Sequence, residues 1–453
     1  LMTMDPVTRT VPRDKLFSAY EMSERMRNAS SREFQWQEHG PNNVAGRTRA
    51  ILFDPLDPDG KKVWAGGVAG GLWYTDDITE FPTIWNSVDQ FWDNIAISAI
   101  ACDYNNPGVM YVGTGEGWFN ADAVGGAGIW KTEDGGLSWF HLQNTVNDNF
   151  YNIQKIVVHP ITSEIFVATS GYYGNSNGGI YLSDNGGDNW TLVLESSGSR
   201  SRAADIEITS NGTIYATLGI FYTDGLYRSE NGRNWTKLNN GSNGFPSGSG
   251  SEFDRLEISV TNADPSVVYV AGRSTAGGSN DVGVFLRSSD RGLSWENMTV
   301  PRDPNGTHFT RGQAWYDLIL ASDPQDADIL YAGGIDLYRS VDGGQSWVQL
   351  SHWYGGFGYQ EVHADQHAII IHPDNSQKII FGNDGGVYFS EDGGNIISGR
   401  NSGYNVTQFY SCAIHPEAGN NYFLAGAQDN GTQQFSNTQG IINTYEVTGG
   451  DGA

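Results

Sequence analysis

Short apolar runs alternate with polar, glycine- and proline-rich turns along most of the chain. The run "AILF" at 50–53 is followed by the turn "DPLDPDG", and the next run, "VWAGG" at 63–67, leads into "GLWYT" at 71–75. Short runs bounded by Asp, Asn, Pro and Gly are typical of β-strands joined by tight turns. The pattern therefore predicts an all-β protein built from short antiparallel hairpins.

One motif, S/T-x-D-x-G-x-x-W, punctuates this pattern at regular intervals. Good copies occupy 132–139, 183–190, 288–295 and 340–347, and degenerate copies end at residues 85, 235 and 397. Each period of roughly 50 residues has room for four strands, which is the signature of a β-propeller blade. We expect an N-terminal extension over 1–33 with a short helix at 13–27, seven blades over 34–402, and an unfinished further blade or second propeller over 403–453.

The motif itself is interpreted as structural. Its acidic or amide residue bonds turn N–H groups, its glycine takes a positive φ, and its tryptophan packs between blades. A metal site needs several convergent oxygens, whereas each copy offers one carboxylate. The residues assigned this role are Asp134, Trp139, Asn185, Trp190, Asn231, Trp235, Asp290, Trp295, Asp342, Trp347 and Asp392.

The charge balance narrows the classes of partner. The chain has 26 Lys and Arg against 52 Asp and Glu, a formal net charge of −26. Such a surface repels a phosphate backbone, so we expect no nucleic-acid partner and favour cations, neutral polymers or other proteins. Two cysteines 310 residues apart exclude a disulfide framework, and no apolar run approaches the length of a transmembrane segment.

The repeated motif resembles the Asp-box, or BNR repeat, of sialidases, sortilin-type receptors and xyloglucanase-type glycoside hydrolases. The stretches "GPNNVAGRTRAILFDPLDP", "GNDGGVYFSEDGG" and "GAQDNGT" resemble sortilin-like (VPS10-like) surface propellers of Bacteroidota-type bacteria. This resemblance implies a protein exported by type IX secretion to the medium or the outer-membrane surface. It also implies a second propeller half and a C-terminal sorting domain outside these residues.

The sequence differs from the xyloglucanase pattern at one catalytic position. In those propellers an R-T-D-x-G-G-like stretch of the first blade supplies one catalytic aspartate, and Val68 stands at that position here. A sialidase needs an arginine cluster and a tyrosine nucleophile. Arg47 and Arg49 lie at the start of the first blade, but no F/Y-R-I-P-like segment accompanies them.

The densest group of chemically active residues lies in "EVHADQHAIIIHP". His363, Asp365 and His367 alternate with period two, so on a strand they share one face, and Asp384 could approach from the next strand. Two imidazoles and a carboxylate suit zinc or another divalent metal, the one cofactor considered. The alternative is a hydrogen-bonded network at the mouth of the central channel.

Further polar and aromatic residues are expected at that mouth, because the starts of the inner strands converge there in propellers. Aromatic rings beside carboxylates and amides would bind a sugar or a peptide. The sequence thus favours an extracellular binding or scaffold module that engages a protein or a glycan, with a glycoside hydrolase as the alternative. The candidate ligand-binding residues are Arg47, Trp92, Asp93, Glu116, Trp118, Trp315, Tyr316, Asp317, Gln428 and Asp429.

Overall fold

The computed structural model describes residues 40–88, 94–120, 123–172, 178–198, 200–249, 252–436 and 440–452. The expected extension 1–33 with its helix at 13–27 lies outside these ranges. Within them the chain is almost entirely strand and turn, with three short 3-10 segments at Gln143–Thr145, Asp148–Phe150 and Ala276–Gly278. The expectation of an all-β protein is confirmed.

Seven four-stranded antiparallel sheets follow one another, and in each the strands pair in chain order. Blades 1 and 2 contain β1 (Thr48–Phe53), β2 (Val63–Gly67), β3 (Gly71–Thr75), β4 (Asn86–Ser87), β5 (Ile97–Cys102), β6 (Met110–Thr114), β7 (Ile129–Thr132) and β8 (Phe140–His141). Blades 3 and 4 contain β9 (Ile153–Val158), β10 (Ile165–Thr169), β11 (Gly179–Ser183), β12 (Thr191–Leu194), β13 (Ala203–Ile208), β14 (Ile214–Leu218), β15 (Gly225–Ser229) and β16 (Thr236–Lys237).

The remaining sheets continue the pattern. Blades 5 and 6 contain β17 (Phe253–Val260), β18 (Val268–Ser274), β19 (Val282–Ser288), β20 (Glu296–Asn297), β21 (Ile319–Ser322), β22 (Leu330–Gly333), β23 (Leu337–Ser340) and β24 (Val348–Gln349). A two-stranded parallel pair follows, β25 (Ser351–His352) and β26 (Gln360–Glu361). Blade 7 and an eighth sheet contain β27 (Gln366–His372), β28 (Asn375–Asn383), β29 (Gly386–Ser390), β30 (Ser398–Gly399), β31 (Phe409–Ile414), β32 (Phe423–Ala427), β33 (Thr432–Ser436) and β34 (Gly440–Thr448).

The first strands of the seven blades form a closed ring. Each contacts the next in the order β1, β5, β9, β13, β17, β21 and β27, and β27 in turn contacts β1. Second strands such as β2, β6, β10 and β14 are buried along their whole length, because each is covered by a neighbouring blade on both faces. The chain is a seven-bladed β-propeller, as the repeat predicts.

Side chains far apart in sequence close the ring between blades 7 and 1. Trp85 Nε1 donates a hydrogen bond to the Arg400 carbonyl oxygen at 2.6 Å, and Arg400 Nε donates to the Ile78 carbonyl oxygen at 2.7 Å. Tyr404 is fully buried against Trp85, with ring centroids 4.8 Å apart. The segment after blade 7 therefore seals the ring before the eighth sheet begins.

The repeated motif forms the hairpin between the third and fourth strands. In blade 6 the Ser346 amide and hydroxyl donate hydrogen bonds to Asp342 Oδ1 and Oδ2 at 2.8 and 2.5 Å, and Gly343 and Gly344 have φ of 67° and 87°. These bonds lower the pKa of Asp342 to about 2. Trp347 lies against Phe285 of blade 5 and donates to the Thr299 carbonyl oxygen at 2.7 Å. The turn chemistry and the seam position expected for the motif are both observed.

The eighth sheet bonds to the ring through a few polar contacts, and its first strand, β31, is exposed. Asn43 and Thr444 exchange hydrogen bonds, Asn43 Nδ2 to the Thr444 carbonyl oxygen at 2.8 Å and the Thr444 amide to Asn43 Oδ1 at 3.0 Å. Every residue of β31 is exposed, in contrast to the first strands of the ring. The division of the chain at residues 402 and 403 remains a prediction.

A β-bulge recurs near the start of the first strand, at the second residue in five blades and at the third residue of β17. The pairing register shifts by one residue at Arg49, Ser98, Gln154, Ala204, Arg255 and His367. All six residues line the central channel, and we refer to them as the collar. Because a bulge turns one side chain away from the strand alternation, each blade that has it presents a collar residue to the channel while its core alternation continues.

Candidate binding site at the mouth of the channel

The site lies on the face where the first strand of each blade begins and the second strand ends, which we call the mouth face. Antiparallel pairing places these two strand ends at the same edge of every blade. Arg47 and Tyr316 precede first strands, whereas Glu116 and Asp384 follow second strands. Residues that span 337 positions of the sequence, from Arg47 to Asp384, are thereby collected around one opening.

A buried ion network connects blades 1 and 2 with the eighth sheet. Arg47 NH1 donates hydrogen bonds to both Glu116 oxygens at 2.8 and 3.0 Å, and Arg49 NH2 donates to Glu116 Oε1 at 3.0 Å. Arg47 NH2 also donates to Gln408 Oε1 at 2.6 Å, just before β31. Burial alone would lower the pKa of Arg47, but Glu116, Tyr316 and Asp384 together more than offset it and raise that pKa. One carboxylate thus anchors two guanidinium groups.

A second chain of hydrogen bonds runs through blade 7. Arg49 NH1 lies 3.1 Å from His367 Nδ1, and His367 Nε2 lies 2.8 Å from Asp384 Oδ1. Since arginine can only donate, Nδ1 is the acceptor and Nε2 carries the proton. Tyr316 OH donates to Asp384 Oδ2 at 3.0 Å. Burial, then Arg49, holds the pKa of His367 well below its usual value, so His367 is a neutral bridge between Arg49 and Asp384.

Three other carboxyl groups near the mouth have buried oxygens that accept no hydrogen bond from a neighbouring side chain. Both side-chain oxygens of Asp317, Oδ1 of Asp365 and Oδ2 of Asp429 are buried without a hydrogen-bond donor, and Asp317 has no exposed surface. Asp365 and Asp317 lie within hydrogen-bond reach of each other, a contact that requires a proton on one of them. Burial and then Asp365 raise the pKa of Asp317 well above its usual range. Burial and then Asp384 raise the pKa of Asp429 to about 7.

The metal prediction for His363, Asp365, His367 and Asp384 finds no support in this geometry. Strand β27 begins at Gln366, and Asp365 has a φ of 63°, so the assumed alternation does not reach back to His363. The His363 ring nitrogens face the carbonyl oxygens of Ala364 and Asp429 at 3.2 and 3.1 Å. Across the residues that the structure describes, no group of three His, Cys, Asp or Glu side chains is arranged to hold a metal ion. The alternative, a hydrogen-bonded network at the mouth, is what His367 and Asp384 form.

An aromatic and cationic plug closes the channel beneath the mouth. The Arg255 guanidinium lies 3.8 Å from the ring centroid of Trp118 and donates to the carbonyl oxygens of Ala314 and Leu318 at 3.1 and 3.0 Å. Burial lowers the pKa of Arg255 to about 10. Trp118 packs with Ala204, Ile220 and Tyr316 in one small apolar cluster. Below it the channel has a volume of about 420 Å³ and carries the ion group of Lys155, Asp205 and Glu207.

Above the plug, aromatic rings from three blades form an arc. Phe119 and Phe221 have ring centroids 6.5 Å apart, and Phe221 and Trp315 have centroids 6.4 Å apart. Phe221 is 40% exposed. We refer to Phe119, Phe221 and Trp315 as the aromatic arc. It gives the mouth face a partly exposed apolar surface beside a charged network.

The structure brings most of the predicted ligand-binding residues together, but with different roles. Arg47, Glu116, Trp118, Tyr316 and Asp317 are buried and build the mouth from within. Trp315 and Asp429 are partly exposed. Gln428 is buried beside Asp429, and its backbone N–H donates to the Gln408 carbonyl oxygen at 2.8 Å. Trp92 and Asp93 lie outside the described residues.

Sequence reasoning missed Arg255 and Phe221, and it considered Arg49 only as part of a sialidase cluster. Arg49 and Arg255 owe their positions to bulges, for which the local sequence carries no distinctive signal. Phe221 follows β14 in a loop and has a φ of 61°. Its position could have identified it, because Phe221 comes shortly after a second strand, as Glu116 and Asp384 do.

The fold and the mouth define a class, a seven-bladed β-propeller with a charged, aromatic-rimmed opening. Among curated proteins, the xyloglucanase Xgh74A of Acetivibrio thermocellus is 38% identical over 97 residues, which are 20% of this chain and 11% of that protein. A xyloglucanase of Hypocrea jecorina is 30% identical over 147 residues, 31% of this chain and 16% of that protein. No family model matches the chain.

Solved structures of GH74 enzymes are also similar to this chain in fold. The GH74 xyloglucanase of Xanthomonas campestris superposes with a TM-score of 0.61 at 16% identity, over 88% of this chain and 60% of that one. An ancestral GH74 enzyme gives 0.61 at 18% identity, over 89% of this chain and 54% of that one. The chain therefore shares the propeller of these enzymes and spans little more than half of their length. Among the described residues, none of the helices has the length and apolar character needed to cross a bilayer.

Proposed function

We propose that this chain is an extracellular polysaccharide-binding propeller module whose mouth face holds the glycan. The local sequence similarity to xyloglucanases supports a carbohydrate ligand, and the net charge of −26 favours an uncharged polymer. Export, which the resemblance to surface propellers implies, would place the module where polysaccharides occur.

The aromatic arc is the observation that carries this proposal. Phe119 and Phe221 both adopt left-handed backbone conformations, with φ of 60° and 61°. That conformation costs a bulky residue about 1–3 kcal/mol, and such strain concentrates at functional sites. The Arg202 and Arg273 guanidinium groups lie 4.3 and 5.2 Å from the centroids of these two rings and hold them in place. Rigid, partly exposed rings beside polar groups are the surface on which a sugar ring stacks.

Binding is favoured over xyloglucanase-type cleavage because of Val68. This residue stands where the resemblance places a catalytic aspartate, is 1% exposed, and donates its amide to the Arg47 carbonyl oxygen at 3.0 Å. An apolar, buried side chain can neither donate nor accept a proton.

The test is a binding titration of the chain with neutral plant glucans, including xyloglucan, by calorimetry. We expect saturable binding that Phe221→Ala weakens about tenfold, equivalent to about 1.4 kcal/mol. Phe81→Ala is the matched control, because Phe81 is 79% exposed in the hairpin between β3 and β4, at the opposite face. Equal affinity of the two variants, or no binding by the unaltered chain, would refute the proposal.

Glycoside hydrolysis is a second candidate, favoured by Asp365 and Asp429. Both carboxyl groups are partly exposed at the mouth, and burial raises the pKa of each above its usual range. A glycosidase requires such an acid opposite a second carboxylate. Release of reducing ends that is lost in Asp365→Asn, with polymer binding retained, would establish hydrolysis. Absence of release by the unaltered chain would exclude it for this chain alone.

A further inference from the structure

A separate pocket opens on the mouth face between blades 2 and 3. It has a volume of about 300 Å³ and is lined chiefly by Glu116, Phe119, Asn120, Tyr151, Asn152 and Tyr172. Small-molecule sites cover about 300–1,000 Å³, so this pocket lies at the lower end and suits one compact unit of a ligand. It adjoins the aromatic arc through Phe119, which belongs to both.

Two of its walls are aromatic. Tyr151 and Tyr172 meet edge to face with centroids 5.0 Å apart, and Tyr172 is 43% exposed. The Tyr172 amide donates to the Asp148 carbonyl oxygen at 3.1 Å, which fixes the backbone that presents the ring. Phe119 lines the pocket as well. A ring held in this way offers a flat apolar face to a ligand.

The polar lining contains an acceptor that needs a donor. Asn152 is 3% exposed; its Nδ2 donates to the Gly171 carbonyl oxygen at 2.9 Å, whereas its Oδ1 is buried without a partner. Leaving such an acceptor unsatisfied destabilises the unliganded pocket. A hydroxyl group entering the pocket would supply the missing donor.

The charge in the pocket is already balanced. The Glu116 carboxylate accepts from Arg47, Arg49 and, at 3.3 Å, from Asn120 Nδ2. A cationic ligand is therefore not required, and an anionic one would meet the strongly negative field of the whole chain. A neutral, hydroxyl-rich ring fits both conditions.

We propose that this pocket binds a single pyranose unit of a neutral polysaccharide, with the sugar ring against Tyr172 and a hydroxyl donating to Asn152 Oδ1. This inference rests on the proposed function and adds to it a subsite that selects one sugar unit, while the aromatic arc holds the neighbouring chain. Because Phe119 lines the pocket and belongs to the aromatic arc, a polymer bound in the pocket can continue onto the arc.

The experiment compares Tyr172→Ala, Tyr172→Trp and a control, Tyr104→Ala, in calorimetric titrations with the best-binding neutral glucan. Tyr104 is 64% exposed in the turn between β5 and β6, at the opposite face. We expect Tyr172→Ala to weaken binding about fivefold to tenfold, Tyr172→Trp to restore it through stacking, and Tyr104→Ala to leave it unchanged. Thermal unfolding of each variant confirms that the fold is intact.

The outcomes separate this inference from the proposed function. If Phe221→Ala weakens glucan binding but Tyr172→Ala matches its control, the pocket is not a subsite and the proposed function stands. If the unaltered chain binds no glucan, the proposed function fails, and the pocket is tested by titrating neutral monosaccharides at millimolar concentration with protein-observed NMR. Shifts that vanish in Tyr172→Ala would support a sugar pocket on its own, and their absence from the unaltered chain would overturn it.

Discussion

Strands β27 and β31 hold the same place in their sheets but meet very different surroundings. Each is the first strand of a four-stranded meander, and each has a register shift at its second residue. In β27, Ala368 and Ile369 are 4% exposed, because blades 6 and 1 cover the strand. In β31 every residue is exposed, and Ile414 reaches 80%.

The difference separates two levels of the fold. Four strands and their turns are specified locally, since the eighth sheet forms the same meander as a ring blade. Burial of the first strand is not local, because it needs a neighbouring blade on each side. The ring provides those neighbours, whereas the eighth sheet contacts the ring through polar side chains such as Asn43 and Gln408.

The largest effect is expected at Glu116, because its carboxylate pairs with Arg47 and Arg49, and Arg47 also bonds Gln408 just before the eighth sheet. Glu116→Gln removes the counter-ion of Arg47 and Arg49 and leaves two buried guanidinium groups under-compensated, which costs about 4 kcal/mol of the free energy of unfolding. Glu133→Gln is the control, because Glu133 is 60% exposed in its pair with Lys131 and should change stability by less than about 0.5 kcal/mol. Denaturant titration measures the free energy of unfolding of both variants, and similar losses of stability in Glu116→Gln and Glu133→Gln would contradict this prediction.

A second pair of variants compares a tyrosine of the ring with a tyrosine of the eighth sheet. Tyr404→Ala should cost about 3 kcal/mol, because Tyr404 fills the seam between blades 7 and 1 with no exposed surface. Tyr445→Ala in β34 should change stability by less than about 0.5 kcal/mol, since that side chain is 59% exposed. A large effect of Tyr445→Ala would mean that another surface covers the eighth sheet in solution.

A smaller effect concerns the pH dependence of stability at the contact between the ring and the eighth sheet, where Asp429 lies. Asp429 follows β32, and its carbonyl oxygen faces His363. Burial raises the pKa of Asp429 most, Asp384 and Asp451 raise it further, and Gln428 and Arg47 oppose the rise. With a pKa of about 7 in the folded state and about 3.9 when unfolded, the native state binds more protons between these values. Stability should therefore fall as pH rises from about 4 to 7 and then level off.

Asp429→Asn should remove part of that slope and stabilise the chain at pH 8 by about 1–2 kcal/mol, allowing for the partial exposure of Asp429. At pH 4 the variant and the unaltered chain should be equal. Thermal unfolding across the pH range measures this, and an unchanged slope would show that Asp429 is ionised throughout.

The sequence contains enough information for the blades but not for the mouth. The spacing of the S/T-x-D-x-G-x-x-W copies and the turns between apolar runs predicts four strands per blade, and the structure forms them there. Strand ends also predict that Arg47, Glu116 and Tyr316 converge. What these residues do there depends on partners up to 361 positions away, such as Gln408 for Arg47, and no local pattern contains that pairing.

The errors follow from assuming regular strand geometry. His363 and Asp365 were expected on the strand that holds His367, but Asp365 adopts a left-handed conformation and the strand starts one residue later. His367 itself sits at a bulge, so it faces Arg49 and Asp384 rather than two metal-ligating neighbours. Bulges and positive φ at non-glycine residues are set by tertiary contacts, which a period-two pattern does not report.

The recurring bulge has a consequence for how this propeller can vary. The collar residues include two arginines, a histidine, a glutamine, a serine and an alanine, although all six occupy the same position of their blades. A residue outside the strand alternation can change size and charge without moving its neighbours to the wrong face. The collar is thus a set of interchangeable positions, where the chemistry of the channel can diversify while the cores between blades stay the same.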